Sequence, residues 1–386
     1  MARILLGWEL GAGNGHTSRL LQLASILAER GHEPLFAPQQ IGPFAAHWPT
    51  WQAPVWPRLL EALFRQYPQR PMTMGDNLAY LGLDDPDAVA AMIMAWDRVI
   101  LAARPDAVVA EYAPMLQVAA KGRVPTLAYG TGYTLPPAQM PHFPGLFGNS
   151  AVVPEPSLLS VLNNSLRQTD RSPLKALPEI FAADRSLVAT FEELDPYRQW
   201  RREPVGAPTI VGPVPRATGK GEELFIYFNG KSDRPSAFWQ GLADSRLPVR
   251  IYDPRLNDVD AKTLGRVGIR VARAPVPFDQ IVARSRLLLS HGGLGFVSSG
   301  LLAGLPQVII PFDGEKLLTA KAIAGRGGCL QASFHELKAE PFAAYLRAAW
   351  SDESLHAQAR AAAPGFRARM TKTSEVDAAD MVETLL

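Results

Sequence analysis

The same succession of a short apolar segment, a glycine-rich loop and an apolar helical pattern occurs once in each half of this 386-residue chain. In the first half, residues 3–8 lead into the loop 11–15 (GAGNG) and then into leucines and alanines at helical spacing. In the second half, residues 287–290 lead into the loop 291–295 (HGGLG) and then into a helical pattern. A buried strand that passes through a glycine turn into a helix is typical of a doubly wound α/β sheet. Each half is therefore predicted to form a parallel sheet of its own.

Other short apolar segments extend this pattern. They lie at residues 33–38, 106–110 and 126–130 in the first half, and at 224–228, 249–252, 269–272 and 307–311 in the second. Residues 205–221 are rich in Gly, Pro, Thr and Ala and are interpreted as a linker between two domains. Near the end of the chain, Pro364 and Gly365 are expected to break an alanine-rich helix before a last amphipathic helix.

Composition excludes several classes of protein. The 39 Lys and Arg against 37 Asp and Glu form no basic run, so nucleic acid is not a predicted partner. No segment approaches the about 18 uninterrupted apolar residues of a transmembrane helix, and Glu9 interrupts the N-terminal apolar run before a signal peptide is complete. The single cysteine, Cys329, is expected to be a core residue in a reducing compartment. These features predict a cytoplasmic protein without a transmembrane segment.

The first glycine loop is a candidate phosphate-binding element. Its glycines would let the backbone approach a pyrophosphate at a helix N-terminus, so Gly13, Asn14 and Gly15 are predicted to form a diphosphate loop. The nicotinamide and flavin fingerprint is incomplete, because His16 occupies its third glycine position and residues 33–38 end without an acidic residue for the ribose. This mismatch disfavours an oxidoreductase.

His16 is also a candidate general base. It follows the first predicted strand at the carboxyl end, where ligands of open α/β sheets gather. A helix is expected to begin at Thr17 or Ser18, and its positive end favours the neutral imidazole that a base requires. The alternative is a loop histidine that caps the helix or faces solvent.

The second glycine loop can hold a diphosphate through backbone N–H groups at a helix N-terminus, without a metal. The chain has no GxxxxGK[ST] motif, which excludes a P-loop NTPase. Residues 313–316 (DGEK) follow the next predicted strand and would lie at the same edge of the sheet. Glu315 and Lys316 are candidates for ligand contact there, with a solvated helix start as the alternative.

These motifs resemble those of the family 1 nucleotide-sugar glycosyltransferases, such as the UDP-glucosyl and UDP-glucuronosyl transferases, which have the GT-B fold. The resemblance is carried by the N-terminal GAGNGH and, more specifically, by VPF, HGGLGFVSSGLLAGLP and VIIPFDGEK within residues 276–316. It implies an α/β protein with two Rossmann-like doubly wound domains that face each other across a cleft. Residues 1–206 would bind the acceptor, residues 222–362 would bind the nucleotide sugar, and residues 363–386 would form a helix that returns to the first domain.

The resemblance also implies the roles of individual residues. In the family, the histidine of the N-terminal loop deprotonates the acceptor hydroxyl, and a carboxylate near the end of a later strand holds the imidazole. His16 matches the base. Glu111 stands where the family usually has Asp, and Asp106, which precedes its strand, is the alternative partner.

The implied donor site comprises diphosphate contacts at His291, Gly293 and Gly295 and nucleobase contacts at Val276 and Phe278. Two positions depart from the family pattern. Ser299 stands where many relatives carry a ribose-binding Glu, and Lys316 follows Glu315 where relatives carry a Gln that holds the sugar hydroxyls.

Together these features predict an inverting, metal-independent hexosyltransferase that needs no cofactor. It would move a sugar from a UDP- or dTDP-sugar donor to a hydroxyl of an apolar small-molecule acceptor, as in natural product glycosylation. Aromatic residues in irregular segments are the candidate acceptor contacts, with ordinary packing as the alternative: Trp48, Trp51, Trp56, Phe64, Phe143 and Phe147. A nucleotide-sugar 2-epimerase of the same fold and a non-catalytic nucleotide-sugar binding relative are the alternative functions.

Overall fold

The buried apolar segments become two parallel β-sheets, one in each of two structural units. The computed structural model describes residues 1–11, 13–59, 71–148, 150–229 and 234–386. Unit 1 comprises Met1–Ala189, Tyr197–Gly206 and Ser374–Leu386, and unit 2 comprises Thr190–Pro196 and Ala207–Thr373. Phe64, one of the candidate acceptor contacts, lies outside the described residues.

Unit 1 is built on a sheet with the strand order β2-β1-β3-β4-β5 among its described strands. These strands are β1 (Arg3–Trp8), β2 (Glu33–Pro38), β3 (Ala107–Glu111), β4 (Thr126–Gly130) and β5 (Arg185–Val188). The helices along the same stretch are α1 (Asn14–Glu29), α2 (Gly42–Ala45), α3 (Met74–Leu78), α4 (Pro86–Ala103), α5 (Pro114–Ala120) and α6 (Glu155–Gln168), with a π-helical turn at Ala79–Leu83 and a 3₁₀ helix at Leu177–Phe181.

The strands of unit 1 are apolar on both sides because helices cover both faces of the sheet. Successive side chains of β1 point to opposite faces, so Ile4 and Leu6 pack with α1 in one apolar cluster. Leu5 points the other way, into the cluster that includes α4 and α5. A continuous apolar strand therefore supplies two separate cores.

Unit 2 is built on a sheet with the order β11-β10-β9-β6-β7-β8 among its described strands. These strands are β6 (Glu223–Tyr227), β7 (Val249–Tyr252), β8 (Arg270–Val271), β9 (Ser285–Ser290), β10 (Gln307–Ile309) and β11 (Cys329–Gln331). Its helices are α7 (Ser236–Ser245), α8 (Asp258–Arg266), α9 (Phe278–Arg284), α10 (Leu294–Ala303), α11 (Gly314–Ile323), α12 (Ala339–Ser351) and α13 (Glu353–Ala368), with 3₁₀ helices at Glu192–Leu194 and Phe334–Glu336. Cys329 is buried, as expected of a core residue.

The predicted helix break at Pro364 and Gly365 is wrong, because α13 continues through both residues to Ala368. Ala359 and Ala363 of this helix pack closely against Gly304 at the end of α10, and Phe366 is buried. This packing holds the helix over a proline that would weaken it in isolation.

The last helix, α14 (Ser374–Glu383), belongs to unit 1. Its Ala379 and Val382 are fully buried in the cluster that also contains α1. The Tyr129 hydroxyl donates to Ser374 Oγ (2.8 Å), and Arg30 forms an ion pair with Glu383 (2.9 Å). Segments far apart in sequence therefore complete one core. Among the described residues, no helix is long and apolar enough to cross a bilayer.

Candidate active site

The carboxyl ends of β1 and β3 form the candidate site of unit 1. The two strands are neighbours in the sheet of unit 1, and Trp8 lies opposite Glu111 at their ends. Just beyond them, the Leu10 N–H donates to the carbonyl of Tyr112 (3.1 Å), which holds the two strand ends together. Asp106 lies at the other end of β3, where its carboxylate accepts from the Arg3 N–H (2.7 Å).

Helix α1 begins at Asn14, so the predicted start at Thr17 or Ser18 is wrong by about one turn. Gly13, the residue before the helix, has φ 103° and ψ 173°, a conformation open essentially to glycine alone. The chain therefore passes directly from the loop into the helix. Gly13, Asn14 and Gly15 form an exposed start of α1, and His16 lies in its first turn.

His16 and Glu111 are brought into direct contact. The imidazole Nδ1 lies 2.7 Å from Glu111 Oε2, and the second carboxylate oxygen accepts from the Arg19 guanidinium at 2.6 Å. Glu111 is fully buried, and 5% of the Arg19 side chain is exposed. A carboxylate accepts hydrogen bonds, so Nδ1 carries the hydrogen and the lone pair of the neutral ring lies on Nε2. Arg19 thus supplies a positive charge to the same carboxylate that accepts from the imidazole.

Aromatic rings hold the imidazole in place. Trp8 stacks on His16 with ring centroids 5.1 Å apart and an interplanar angle of 15°, and Tyr112 stacks at 6.4 Å and 21°. Trp8 is fixed by a hydrogen bond from its Nε1 to the Leu10 carbonyl (2.6 Å). Tyr112 adopts φ 44°, in the left-handed region that costs a non-glycine residue about 1–2 kcal/mol. Such strain is concentrated at functional sites in proteins.

Two buried groups near this pair were not predicted from the sequence. Arg19 stands three residues after His16 and thus lies on the same face of α1. This spacing allows both side chains to reach the same carboxylate. Glu9 accepts from Trp56 Nε1 (2.8 Å) and from the Leu116 N–H (2.6 Å), and burial raises its pKa to about 7. Trp56 is thereby held in the core.

The candidate acceptor residues do not form one surface. Trp48 packs near Phe36 (6.0 Å) on one face of the sheet, with the cluster that contains α1. Phe143 is buried against Phe181 (6.1 Å) on the other face, where Trp51 also packs. Phe147 is half-buried in the same unit. The structure thus separates Trp48 from Trp51 and Phe143 by the thickness of the sheet.

Unit 2 has a candidate site of its own at the carboxyl ends of β6 and β9, where Tyr227 and Ser290 are paired. The next residue, His291, has its Nδ1 3.4 Å from the Tyr227 carbonyl, and its ring stacks on Phe312 at 5.2 Å. Burial and the charge of Lys316 lower the pKa of His291 to about 4. The ring is therefore neutral at pH 7, with its hydrogen on Nδ1.

The glycine loop brings the start of α10 next to His291. Gly292 has φ 91°, and a Cβ there would lie 2.8 Å from Ile309. Gly293 precedes the helix, where a Cβ would lie 3.0 Å from His291 Nε2, and Gly295 lies in the first turn. No side chain of the described residues caps α10, so its first N–H groups are suited to an anion.

The remaining predicted donor residues surround this loop in different ways. Phe278, the first residue of α9, packs edge-on against Phe296 (5.5 Å), and Val276 is half-buried in the same apolar cluster. The Ser299 hydroxyl donates to the Gly295 carbonyl (2.9 Å), so its hydrogen is used within α10.

Glu315 and Lys316 form an ion pair in the first turn of α11, with Lys316 Nζ 2.7 Å from the carboxylate. Asp313 caps this helix by accepting from the Lys316 N–H (2.9 Å). Since 19% of the Lys316 side chain and 27% of the Glu315 side chain are exposed, this is not a fully solvated helix start.

Solved glycosyltransferases share this fold. CalG4, the calicheamicin glycosyltransferase, matches with a TM-score of 0.71 and 19% identity over 100% of this chain and 98% of its own. The spinosyn rhamnosyltransferase SpnG in complex with spinosyn aglycone matches with a TM-score of 0.64 and 18% identity over 99% and 100% of the two chains. The glycosyltransferase VinC in complex with dTDP matches with a TM-score of 0.65 and 14% identity over 99% of each. The chain therefore has the two parallel-sheet α/β domains of the GT-B fold, which confirms the predicted fold class.

The sequence itself shows a more local likeness. A stretch of 102 residues is 26% identical to the UDP-sugar-dependent glycosyltransferase 52 of Dictyostelium discoideum, and this match covers 26% of the chain but 6% of that protein. No family model matches the chain. Together with the solved structures, this relative confirms the predicted resemblance to the family 1-type GT-B glycosyltransferases.

Proposed function

We propose that this protein is a hexosyltransferase that moves a sugar from a UDP- or dTDP-sugar to a hydroxyl of a small-molecule acceptor. The observation that carries the proposal is the contact of the partly exposed His16 with the buried Glu111, at the carboxyl ends of strands in a unit of the GT-B fold. The dTDP complex of VinC and the aglycone complex of SpnG, two proteins of this fold, support a nucleotide-sugar donor and a small-molecule acceptor. An apolar body of the acceptor stays a prediction, since Trp8 and Tyr112 beside His16 are themselves buried in the core.

In this proposal the reaction is an inverting displacement. His16 Nε2 takes the proton of the acceptor hydroxyl as the oxygen attacks the anomeric carbon, and the bond from that carbon to the diphosphate oxygen breaks on the opposite face. Glu111 keeps the hydrogen on Nδ1 and stabilises the imidazolium that forms, while Arg19 holds the carboxylate in position. A positioned general base of this kind contributes about 100- to 10,000-fold in rate.

Unit 2 is proposed to hold the donor. The first N–H groups of α10, at Gly293 and beyond, would bind the diphosphate and stabilise its charge as it leaves, without a metal ion or other cofactor. Val276 and Phe278 would contact the nucleobase, and Glu315 would accept from sugar hydroxyls. Contacts from Gly13, Asn14 and Gly15 to a diphosphate stay a prediction.

Nucleotide binding tests this function directly. UDP, dTDP, GDP, NAD and FAD are each added at equal concentration, and the thermal unfolding of the protein is measured. A ligand at 100 times its dissociation constant adds about 2.7 kcal/mol to stability, so UDP or dTDP is expected to raise Tm clearly. A shift with NAD or FAD alone would contradict the proposal. Release of sugar or of a 2-epimer from the matching nucleotide sugar then separates a transferase from an epimerase.

A substitution at Gly11 tests the geometry of the base. Gly11 has φ 86°, and a Cβ there would lie 2.4 Å from His16 Nε2. Gly11→Ala is therefore expected to displace the imidazole from its productive position and to lower the rate of transfer by about 100-fold, the effect of a misplacement of about 1 Å. The measurement is kcat for transfer, with nucleotide affinity measured on the same sample.

Gly31→Ala is the matched control, because Gly31 has nearly the same φ (84°) and a Cβ there meets nothing within 4 Å. The Gly31→Ala variant has the backbone strain of an alanine at positive φ, but its Cβ makes no contact with His16. Equal transfer rates for the two variants would show that the contact at Gly11 does not position the base.

A further inference from the structure

Lys316 is a cation held beside the second glycine loop. The side chain lies in the first turn of α11, and its Nζ is 2.7 Å from Glu315 Oε2 and 3.6 Å from Asp313 Oδ2. Burial alone favours the neutral amine, but the charges of Glu315 and Asp313 prevail and raise the pKa of Lys316. The ammonium is therefore favoured over the neutral amine and is paired with these carboxylates.

The loop approaches Lys316 closely. A Cβ at Gly292 would lie 3.3 Å from the Lys316 carbonyl oxygen and 3.5 Å from its Cβ. The ammonium is near enough to His291 that its charge helps to lower the pKa of that ring. Lys316 thus lies beside the loop that leads into α10, the helix whose first N–H groups are suited to an anion.

The chemistry of the side chain indicates its ligand. A group that recognises sugar hydroxyls gains from both donating and accepting, as an amide does, whereas an ammonium donates only. Lysine binds phosphate as a point charge. Glu315 lies beside it as a hydrogen-bond acceptor. The ammonium is therefore suited to a phosphate, and the carboxylate is suited to a hydroxyl.

We propose that Lys316 binds the phosphate of the donor nucleotide that is bonded to the sugar, and so sets a preference for nucleoside diphosphates over monophosphates. This inference rests on the proposed function. In the reaction, Lys316 and the first N–H groups of α10 both stabilise the negative charge on the leaving diphosphate.

The test compares diphosphate with monophosphate binding. UDP and UMP, or dTDP and dTMP if those bind better, are titrated calorimetrically into the wild-type protein and into Lys316→Met, Lys316→Gln and Lys316→Arg. We expect Met and Gln to weaken diphosphate binding by about 10- to 100-fold, the effect of losing a hydrogen bond to a charged group. Monophosphate binding is expected to change less than twofold, and Arg is expected to retain most of the diphosphate affinity.

Lys321→Met, an exposed position on the same helix, is the matched control and is expected to leave both affinities unchanged. Unchanged diphosphate binding in Lys316→Met, or an equal loss of monophosphate binding, would overturn the inference while leaving the proposed function intact. If the wild-type protein binds neither UDP nor dTDP, both are overturned.

Discussion

Replacing His16 with alanine is expected to lower the rate of sugar transfer by about 100- to 10,000-fold, the contribution of a positioned general base. Nucleotide affinity is expected to stay the same, because His16 is proposed to contact the acceptor and not the nucleotide, whose proposed nucleobase and α10 contacts belong to unit 2. The imidazole Nε2 is the proton acceptor in the proposed reaction, and alanine offers no replacement. The measurements are kcat/KM for transfer and the dissociation constant of the nucleoside diphosphate.

His47→Ala is the control for this substitution, since His47 is an exposed histidine of the same unit. Glu111 is a poorer target, because its loss breaks the buried ion pair with Arg19, and breaking such a pair costs about 3–5 kcal/mol of stability. A His16→Ala protein that transfers sugar at the wild-type rate would exclude His16 as the base.

Replacing Gly293 with tryptophan is expected to weaken diphosphate binding by at least about 100-fold, which corresponds to two lost hydrogen bonds to a charged group. Gly293 precedes α10, and even a Cβ at this position would lie 3.0 Å from His291 Nε2. An indole would occupy the space in front of the first N–H groups of the helix. Affinity for UDP and dTDP is measured by calorimetry, and Tm shows that the variant is folded.

Gly265→Trp provides the comparison for this variant. Gly265 lies at an exposed position of α8 in the same unit, where a Cβ meets nothing within 4 Å. Nucleotide binding is expected to be unaffected there. Wild-type affinity in a folded Gly293→Trp protein would rule out α10 as the diphosphate site, and Gly293→Ala offers a milder version if the tryptophan prevents folding.

The sequence predicts best the strands whose apolar runs are continuous. The bounds predicted for β1, β2, β4 and β7 are those observed. Strands β1, β2 and β4 are buried at nearly every position, whereas β7 alternates buried and half-buried residues. Two edge strands were missed. Strand β5 begins with the exposed Arg185 and the half-buried Ser186, and β11 has three residues directly after glycines, so neither has the apolar run that marks a central strand.

Local signals were less reliable at helix ends. The run from Gly13 to His16 contains residues that favour loops, yet α1 starts there, because Gly13 alone adopts the conformation that leads into the helix. Pro364 failed as a stop signal for the opposite reason, since tertiary packing along α13 outweighs the cost of one proline.

The sequence predicts the proximity of those site residues that lie at the ends of strands. His16 and Glu111 each follow or end a buried strand, and adjacent parallel strands bring such residues to one edge. The contact of Gly11 with the imidazole depends on tertiary geometry that a single sequence does not specify. The sequence did not indicate that the candidate acceptor residues pack on both faces of the sheet, because aromatic content alone does not tell on which face a side chain packs.

The position of α14 has a consequence for synthesis of the chain. Residues 207–373 leave the ribosome after the first two segments of unit 1 and before its third, Ser374–Leu386. The apolar surface that Ala379 and Val382 cover therefore stays uncovered until α14 has emerged. Unit 2 has all of its segments by residue 373. Unit 2 is thus complete first although most of unit 1 is made earlier, and the half that carries His16 reaches its native packing only after the other half has been translated.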